Sequence, residues 1–336
     1  MAKIVLGIGT SHGPMLSTPW DQWSQRVAAD KKNDRHPFRG GFHSFDALVE
    51  MRRAEKLAEQ ITPAKWQMRH AACQAALDML AHKLKQAAPD VTVLVGNDQK
   101  EMFATDKMPA LSVYWGAAIE NQGKSAEKLA NANPGIAIAE RGYRPEQPAA
   151  YPGQPELGRH IIESLIAEEF DVAQSDELPL ASDGLKRVPH AYAFVYRRLM
   201  HDAPMPSVPV ILNTFYPPNQ PTAKRCHDLG RALKRAIESW PSDMRVAVIA
   251  TGGLSHFVID EDLDQKVLTA FARHDRETLI SLPENLLQSG NSEIKSWIPL
   301  AAMMADCELP MTLVDYQPCY RSEAGTGNAM AFAYWG

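Results

Sequence analysis

Short apolar runs alternate with segments of helical periodicity along most of the chain. The runs Ile4–Thr10, Val91–Gly96, Ala110–Trp115, Val208–Thr214, Val246–Thr251, Met311–Asp315 and Ala329–Trp335 read as strands. Between them the apolar spacing predicts helices over Ala64–Ala87, Glu156–Phe170, His190–Met200, Thr222–Trp240, Leu263–Leu282 and Glu293–Ala305. This alternation points to an α/β fold: a single-domain αβα sandwich around a mixed, largely parallel sheet. The whole chain, 1–336, reads as one domain. Two stretches break the pattern. Ser17–Gly41 is polar, and Asn131–Gln154 is rich in Pro, Gly and Ala. Each is either a surface loop or a wall of a pocket.

Two strands end in glycine and histidine. Val246–Ala250 runs into Thr251-Gly252-Gly253-Leu254-Ser255-His256, and the first strand runs into Ser11-His12-Gly13-Pro14. Glycines let the backbone turn at a strand end, and strand ends are where α/β folds bind ligands. Two histidines delivered by strands far apart in sequence suggest one site assembled by the fold. A third segment, Ser289-Gly290-Asn291-Ser292-Glu293, places a carboxylate in the first turn of a helical run, where the helix dipole alone would also favour it. Two histidines and one carboxylate are the donor set of non-heme Fe(II) oxygenases, which leave metal positions open for substrate and O₂.

Composition narrows the partners. The net charge is −5 with no basic stripe, so nucleic acid is not expected. No apolar run reaches membrane-spanning length, and no secretory leader is legible at the N-terminus. The four cysteines (Cys73, Cys226, Cys307, Cys319) are scattered, which suits a cytoplasmic protein and excludes a zinc-finger or disulfide framework. Gly7-Ile8-Gly9 fails the dinucleotide spacing.

The chain resembles the class III extradiol ring-cleavage dioxygenases, in particular the catalytic β-subunit group of protocatechuate 4,5-dioxygenase. The resemblance rests on Gly7-Ile8-Gly9-Thr10-Ser11-His12, Val95-Gly96-Asn97-Asp98-Gln99, Tyr216-Pro217-Pro218 with Lys224-Arg225-Cys226, Thr251–His256 and Ser289–Glu293, in family order. The look is nearest to the 3-O-methylgallate dioxygenase branch, whose insertion after the first strand Pro19–Pro63 would match, so the domain carries an insertion at about 19–63. The resemblance implies Fe(II) as cofactor and a catecholic aromatic acid (3-O-methylgallate, gallate or protocatechuate type) opened by O₂, both oxygen atoms entering the product.

The resemblance also implies roles. His12 and Glu293 match iron ligands, and His256 matches the histidine that moves protons on the catechol hydroxyl. The family's second iron histidine falls where this chain has Gln99, whose amide oxygen is a weaker donor to iron. Either Gln99 is itself the third ligand, which its strand-end position favours, or His36, His43 or His70 swings in, or the site does other chemistry. His190, at a helix start, is a capping residue or a second catalytic pocket histidine. The remaining histidines, His82, His160, His201, His227 and His274, read as surface or structural. The insertion can replace a capping subunit, so a homodimer is expected. A metal-dependent hydrolase or lyase on the same scaffold, and a non-catalytic binding protein, are the alternatives.

Overall fold

The computed structural model describes residues 1–132, 134–307 and 309–336. The strands, in chain order, are β1 (Lys3–Thr10), β2 (His36–Phe38), β3 (Gly41–His43), β4 (Val91–Asn97), β5 (Leu111–Tyr114), β6 (Ala118–Asn121), β7 (Ala149–Pro152), β8 (Ala173–Ser175), β9 (Ser207–Leu212), β10 (Arg245–Thr251), β11 (His256–Val258), β12 (Met311–Tyr320) and β13 (Thr326–Trp335). Nine of them form one sheet in the order β11-β13-β1-β10-β4-β9-β5-β8, with β12 also on β13. The central four, β1, β10, β4 and β9, are mutually parallel. Antiparallel pairings with β13 and β5 flank them on the two sides. β2 with β3, and β6 with β7, make two small ribbons outside the sheet.

The parallel strands read as continuous apolar runs because both faces are covered. In β4, Val91, Val93 and Val95 face one core while Leu94 faces the other; in β10, Val246, Val248 and Ala250 oppose Ala247 and Ile249. The first core takes the helices Pro155–Ala167, Ala223–Ser239, Glu261–Ala272 and Ile294–Ala305. The second takes Pro63–Ala87 and the segment from His190 to Leu199. The expected α/β architecture with a mixed sheet is thus present.

Glycines on β1 bring one helix unusually close. A Cβ on Gly9 would lie 2.4 Å from the Trp297 ring, and one on Gly7 would lie 2.7 Å from the Met304 sulfur. The Ile294–Ala305 helix therefore lies directly on β1, with Trp297 Nε1 donating to the Gly252 carbonyl at 3.0 Å. That contact fixes where Glu293, immediately before the helix, can go.

Several elements differ from the sequence reading. The span Leu263–Leu282 is two helices, Glu261–Ala272 and Arg276–Ile280, because His274 takes a left-handed backbone conformation between them. The helix from His190 passes into a π-helical turn at Val195–Leu199. Ser17–Gly41 is ordered structure with a 3-10 helix at Trp20–Arg26, a helix at Val27–Lys32, and ribbon β2–β3 beginning at its end. Trp23 is buried there and donates to the carbonyls of Met15 and Thr18, both at 3.2 Å. Asp30 from the same segment is clamped by Arg321 (2.6 and 2.9 Å) and by the Thr326 hydroxyl (2.7 Å). Asn131–Gln154 carries a short helix, Pro134–Ala139, and strand β7.

Candidate active site

The carboxyl ends of β1, β10 and β4 lie side by side, since the three are neighbours running the same way. His12 follows β1 by two residues and Gln99 follows β4 by two; His256 follows β10 after the Gly252-Gly253 turn and opens β11. His190 opens the helix beside β4, and Glu293 closes the 3-10 turn Ser289–Glu293. The fold brings all five expected site residues to one cavity of about 350 Å³, which Arg26, Glu101, Lys124, Glu140, Tyr143 and Asn328 also line.

Glu293 sits at the centre. Its Oε2 is 3.6 Å from His12 Nε2, 3.7 Å from His256 Nε2 and 2.6 Å from the Gly253 amide. Its Oε1 accepts from Asn97 Nδ2 at 3.2 Å and from Gln99 Nε2 at 3.1 Å. Burial opposes its ionisation, but the adjacent His12 and His256 and the Gly253 amide outweigh that and hold its carboxyl well below the usual range. His12, His190 and Glu293 offer ligand atoms that all lie within 4.8 Å of one another. Among the described residues, theirs is the one cluster of histidine, cysteine and carboxylate groups with metal-binding spacing.

Each imidazole presents Nε2 because its Nδ1 is occupied. His12 Nδ1 meets the Thr251 hydroxyl at 2.9 Å. That hydroxyl donates to the Ala191 carbonyl at 3.3 Å, so it accepts from His12, and the Nε2 lone pair is free. His256 Nδ1 donates to the Leu254 carbonyl at 2.9 Å. His190 Nδ1 contacts Glu101 Oε2 at 2.6 Å. An imidazole oriented by a carboxylate or carbonyl on its far nitrogen is the usual outer-shell arrangement of a metal or proton-transfer histidine.

The environments set the three imidazoles apart. Burial lowers the His256 pKa against the opposing pull of Glu293 and the Leu254 carbonyl, with His12 and Arg321 adding to the fall. For His190, burial is outweighed by the charge and hydrogen bond of Glu101, which raise its pKa. Glu101 is itself held well below the carboxylate range, despite burial, by His190 and Arg144. The loop carrying Gln99 and Glu101 is shaped by Asp98, whose carboxylate accepts the amides of Glu101, Met102 and Phe103, each at 3.0 Å.

His36, His43 and His70 stay away from this cavity. His36 is buried against the Asp30 carbonyl at 2.8 Å and pairs across the ribbon with His43, while His70 packs on Trp23. Gln99 reaches the site, but its amide nitrogen faces Glu293. Glu101, Thr251, Tyr143 and Arg26 are site residues that the sequence reading passed over. For Glu101 there was a signal: a carboxylate two residues beyond Gln99, which stands where the resembled family has histidine. Tyr143 comes from the Pro/Gly/Ala-rich stretch and Arg26 from the polar one, so both stretches contribute pocket wall. Tyr143 donates to the His12 carbonyl at 2.9 Å and meets the His190 ring edge-on at 5.4 Å.

Residues 57–327 match the family described as the catalytic LigB subunit of aromatic ring-opening dioxygenase. That span contains Gln99, Glu101, His190, His256 and Glu293; His12 and Arg26 precede it. The chain is also similar to gallate dioxygenase of Pseudomonas putida, with 38% identity over 127 residues, 37% of this chain. The match spans 35% of that relative's length.

Proposed function

The chain belongs to the family of catalytic LigB subunits of aromatic ring-opening dioxygenases, and from that premise we propose that it is an Fe(II)-dependent extradiol dioxygenase acting on a catecholic aromatic acid of the gallate, protocatechuate or 3-O-methylgallate type. The observation that carries the reading is the convergence of ligand atoms of His12, His190 and Glu293 within 4.8 Å, beside a separate imidazole, His256, whose Nε2 is 3.7 Å from Glu293. The donor set fits Fe(II): two imidazoles and one ionised carboxylate, the chemistry of a facial two-histidine, one-carboxylate site. His12, His190 and Glu293 would hold the ion. Gln99, the ligand expected from its strand-end position, instead acts with Asn97 as a donor that fixes the Glu293 carboxylate.

Bound Fe(II) supplies Lewis acidity toward the two ring hydroxyls and the redox chemistry that O₂ requires. The protein's own part is positioning and proton transfer. His256 Nε2 takes the proton of a ring hydroxyl; its Nδ1–H bond to Leu254 keeps the tautomer that accepts it and stabilises the cation formed. The same proton is then available for return to the opening ring. Tyr143, through the His12 carbonyl, and Glu101, through His190, keep the two imidazoles aimed. Pro14, Ile136 and Phe257 give the ring apolar contact.

One domain spanning 1–336, with 19–63 as an insertion that walls the pocket, goes with this reading. So do a homodimer and a cytoplasmic setting. No helix among the described residues is long and apolar enough to cross a membrane. The test is anaerobic loading with Fe(II), then O₂ uptake with 3-O-methylgallate, gallate and protocatechuate while the aromatic absorbance is followed. One O₂ consumed per ring lost is the expected result. A full complement of metal with no uptake on any catechol would move the assignment to hydrolase or lyase chemistry. Function that persists without metal would point to a binding protein.

A further inference from the structure

Five side chains with a formal charge line the cavity: Arg26, Glu101, Lys124, Glu140 and Glu293. Four have partners. Lys124 pairs with Glu140 at 2.8 Å. Arg144, behind the wall, meets Glu140 at 3.3 Å and Glu101 at 3.2 Å. Glu101 also holds His190, and Glu293 lies among the imidazoles. Arg26 is different: among the described residues its guanidinium has neither a hydrogen bond nor an ion pair. The acid nearest in sequence, Asp30, acts on Arg26 through its charge alone and accepts its hydrogen bonds from Arg321 and Thr326. Burial and the Arg321 charge depress the Arg26 pKa to about 10 against a weaker upward pull from Asp30, so it remains a cation at neutral pH whose nearby anion is shared with Arg321. A partly buried cation of this kind is costly unless an anion comes to it.

We propose that Arg26 receives the carboxylate of the aromatic substrate, and so makes the pocket selective for catecholic acids over neutral catechols. This rests on the ring-opening reading above. A guanidinium fork matches a carboxylate with two parallel hydrogen bonds, a geometry Lys124 cannot offer and its bond to Glu140 does not leave free. A second unpartnered group lines the same cavity: Asn328, paired across the sheet with His256, is 3% exposed and its Oδ1 has no hydrogen-bond partner. Arg26 ends the 3-10 helix Trp20–Arg26, which the buried Trp23 pins, and it lies outside the matched span 57–327. On the reading that 19–63 is an insertion, the acid selectivity belongs to that segment.

Anaerobic calorimetry on the Fe(II)-loaded protein with 3,4-dihydroxybenzoate and with catechol tests it, for wild type, Arg26→Met and Arg26→Lys, with metal content and melting temperature recorded. Wild type should bind the acid more tightly than catechol. Arg26→Met should shrink that preference by ~10- to 100-fold, the range expected for hydrogen bonds to a charged group. Arg26→Lys should restore part of it. A wild type with no preference, or an Arg26→Met preference within about twofold of wild type, overturns the assignment. O₂ uptake on the same samples separates the two readings. Acid preference that depends on Arg26 without any uptake overturns the dioxygenase and keeps the anchor; uptake with an unchanged preference does the reverse.

Discussion

If His190 completes the metal site, the carboxylate behind it must matter although it touches no ligand position. Glu101 Oε2 lies 2.6 Å from His190 Nδ1 and also accepts the His190 backbone amide at 3.0 Å, so it sets both the ring and the start of its helix. A hydrogen bond to a charged group contributes about 1.5–3 kcal/mol, which converts to ~10- to 100-fold in an equilibrium. Removing the outer partner of a metal-bound histidine costs about the same factor in affinity. Glu101→Ala should therefore weaken Fe(II) or Zn(II) binding by ~10- to 100-fold, and Glu101→Gln, which keeps an acceptor but not the charge, by about tenfold or less. Gross unfolding is not expected, because Arg144 keeps Glu140, the Asn121 side chain (2.7 Å) and the Val188 carbonyl (2.6 Å) as partners. Competition against a chromophoric chelator reads the affinity, and thermal melting of the metal-free protein checks the fold. Gln99→Ala is the counterpart, and should cost less than Glu101→Ala. If Glu101→Ala binds metal like wild type while Gln99→Ala loses it, His190 is not the third ligand and the amide of Gln99 is.

Three more outcomes are expected. His256→Ala should retain metal and lose ~10²- to 10⁴-fold in turnover, whereas His12→Ala should lose both; metal analysis with O₂ uptake separates them, and full activity in His256→Ala would refute its proton-transfer role. Asp264, buried against the Ser255 amide and hydroxyl and the Tyr316 hydroxyl, has its carboxyl pushed up to about 7 by burial. The folded chain then holds a proton that the unfolded chain releases near pH ~4, so this contribution to stability is lost as pH rises from about 4 to about 7, by about 4 kcal/mol at most; urea midpoints should fall over that window in wild type and be flatter in Asp264→Asn. A Cβ on Gly290 would lie 2.0 Å from the His256 carbonyl oxygen, so Gly290→Ala should cost about 1–3 kcal/mol and displace Glu293, read as a lower denaturant midpoint and weaker metal binding.

Much of the fold was legible along the chain because each parallel strand is buried on both faces and so reads as an unbroken apolar run. β1, β4 and β10 were found within a residue or so on that signal. His12, His256 and Glu293 stood out because glycine or proline beside them marks a strand end or a helix start, where a polar side chain has no packing reason to be. The short strands β8 and β11 left no comparable signal: three residues carry no period. The polar stretch Ser17–Gly41 looked like surface because its structure depends on distant partners, above all Arg321 holding Asp30 across 291 positions.

The α/β class and three of the groups around the site could be read along the chain, since they follow from local periodicity and turn chemistry. Their relations came from the folded arrangement: Gln99 turns its amide nitrogen to Glu293, His190 comes within ligand distance of His12, Glu101 stands behind it, and Arg26 reaches the pocket without a hydrogen-bonded partner among the described residues. Those are questions of which charges meet inside a low-dielectric cavity. Spacing along a chain carries no information about such meetings until the sheet has set its strand order.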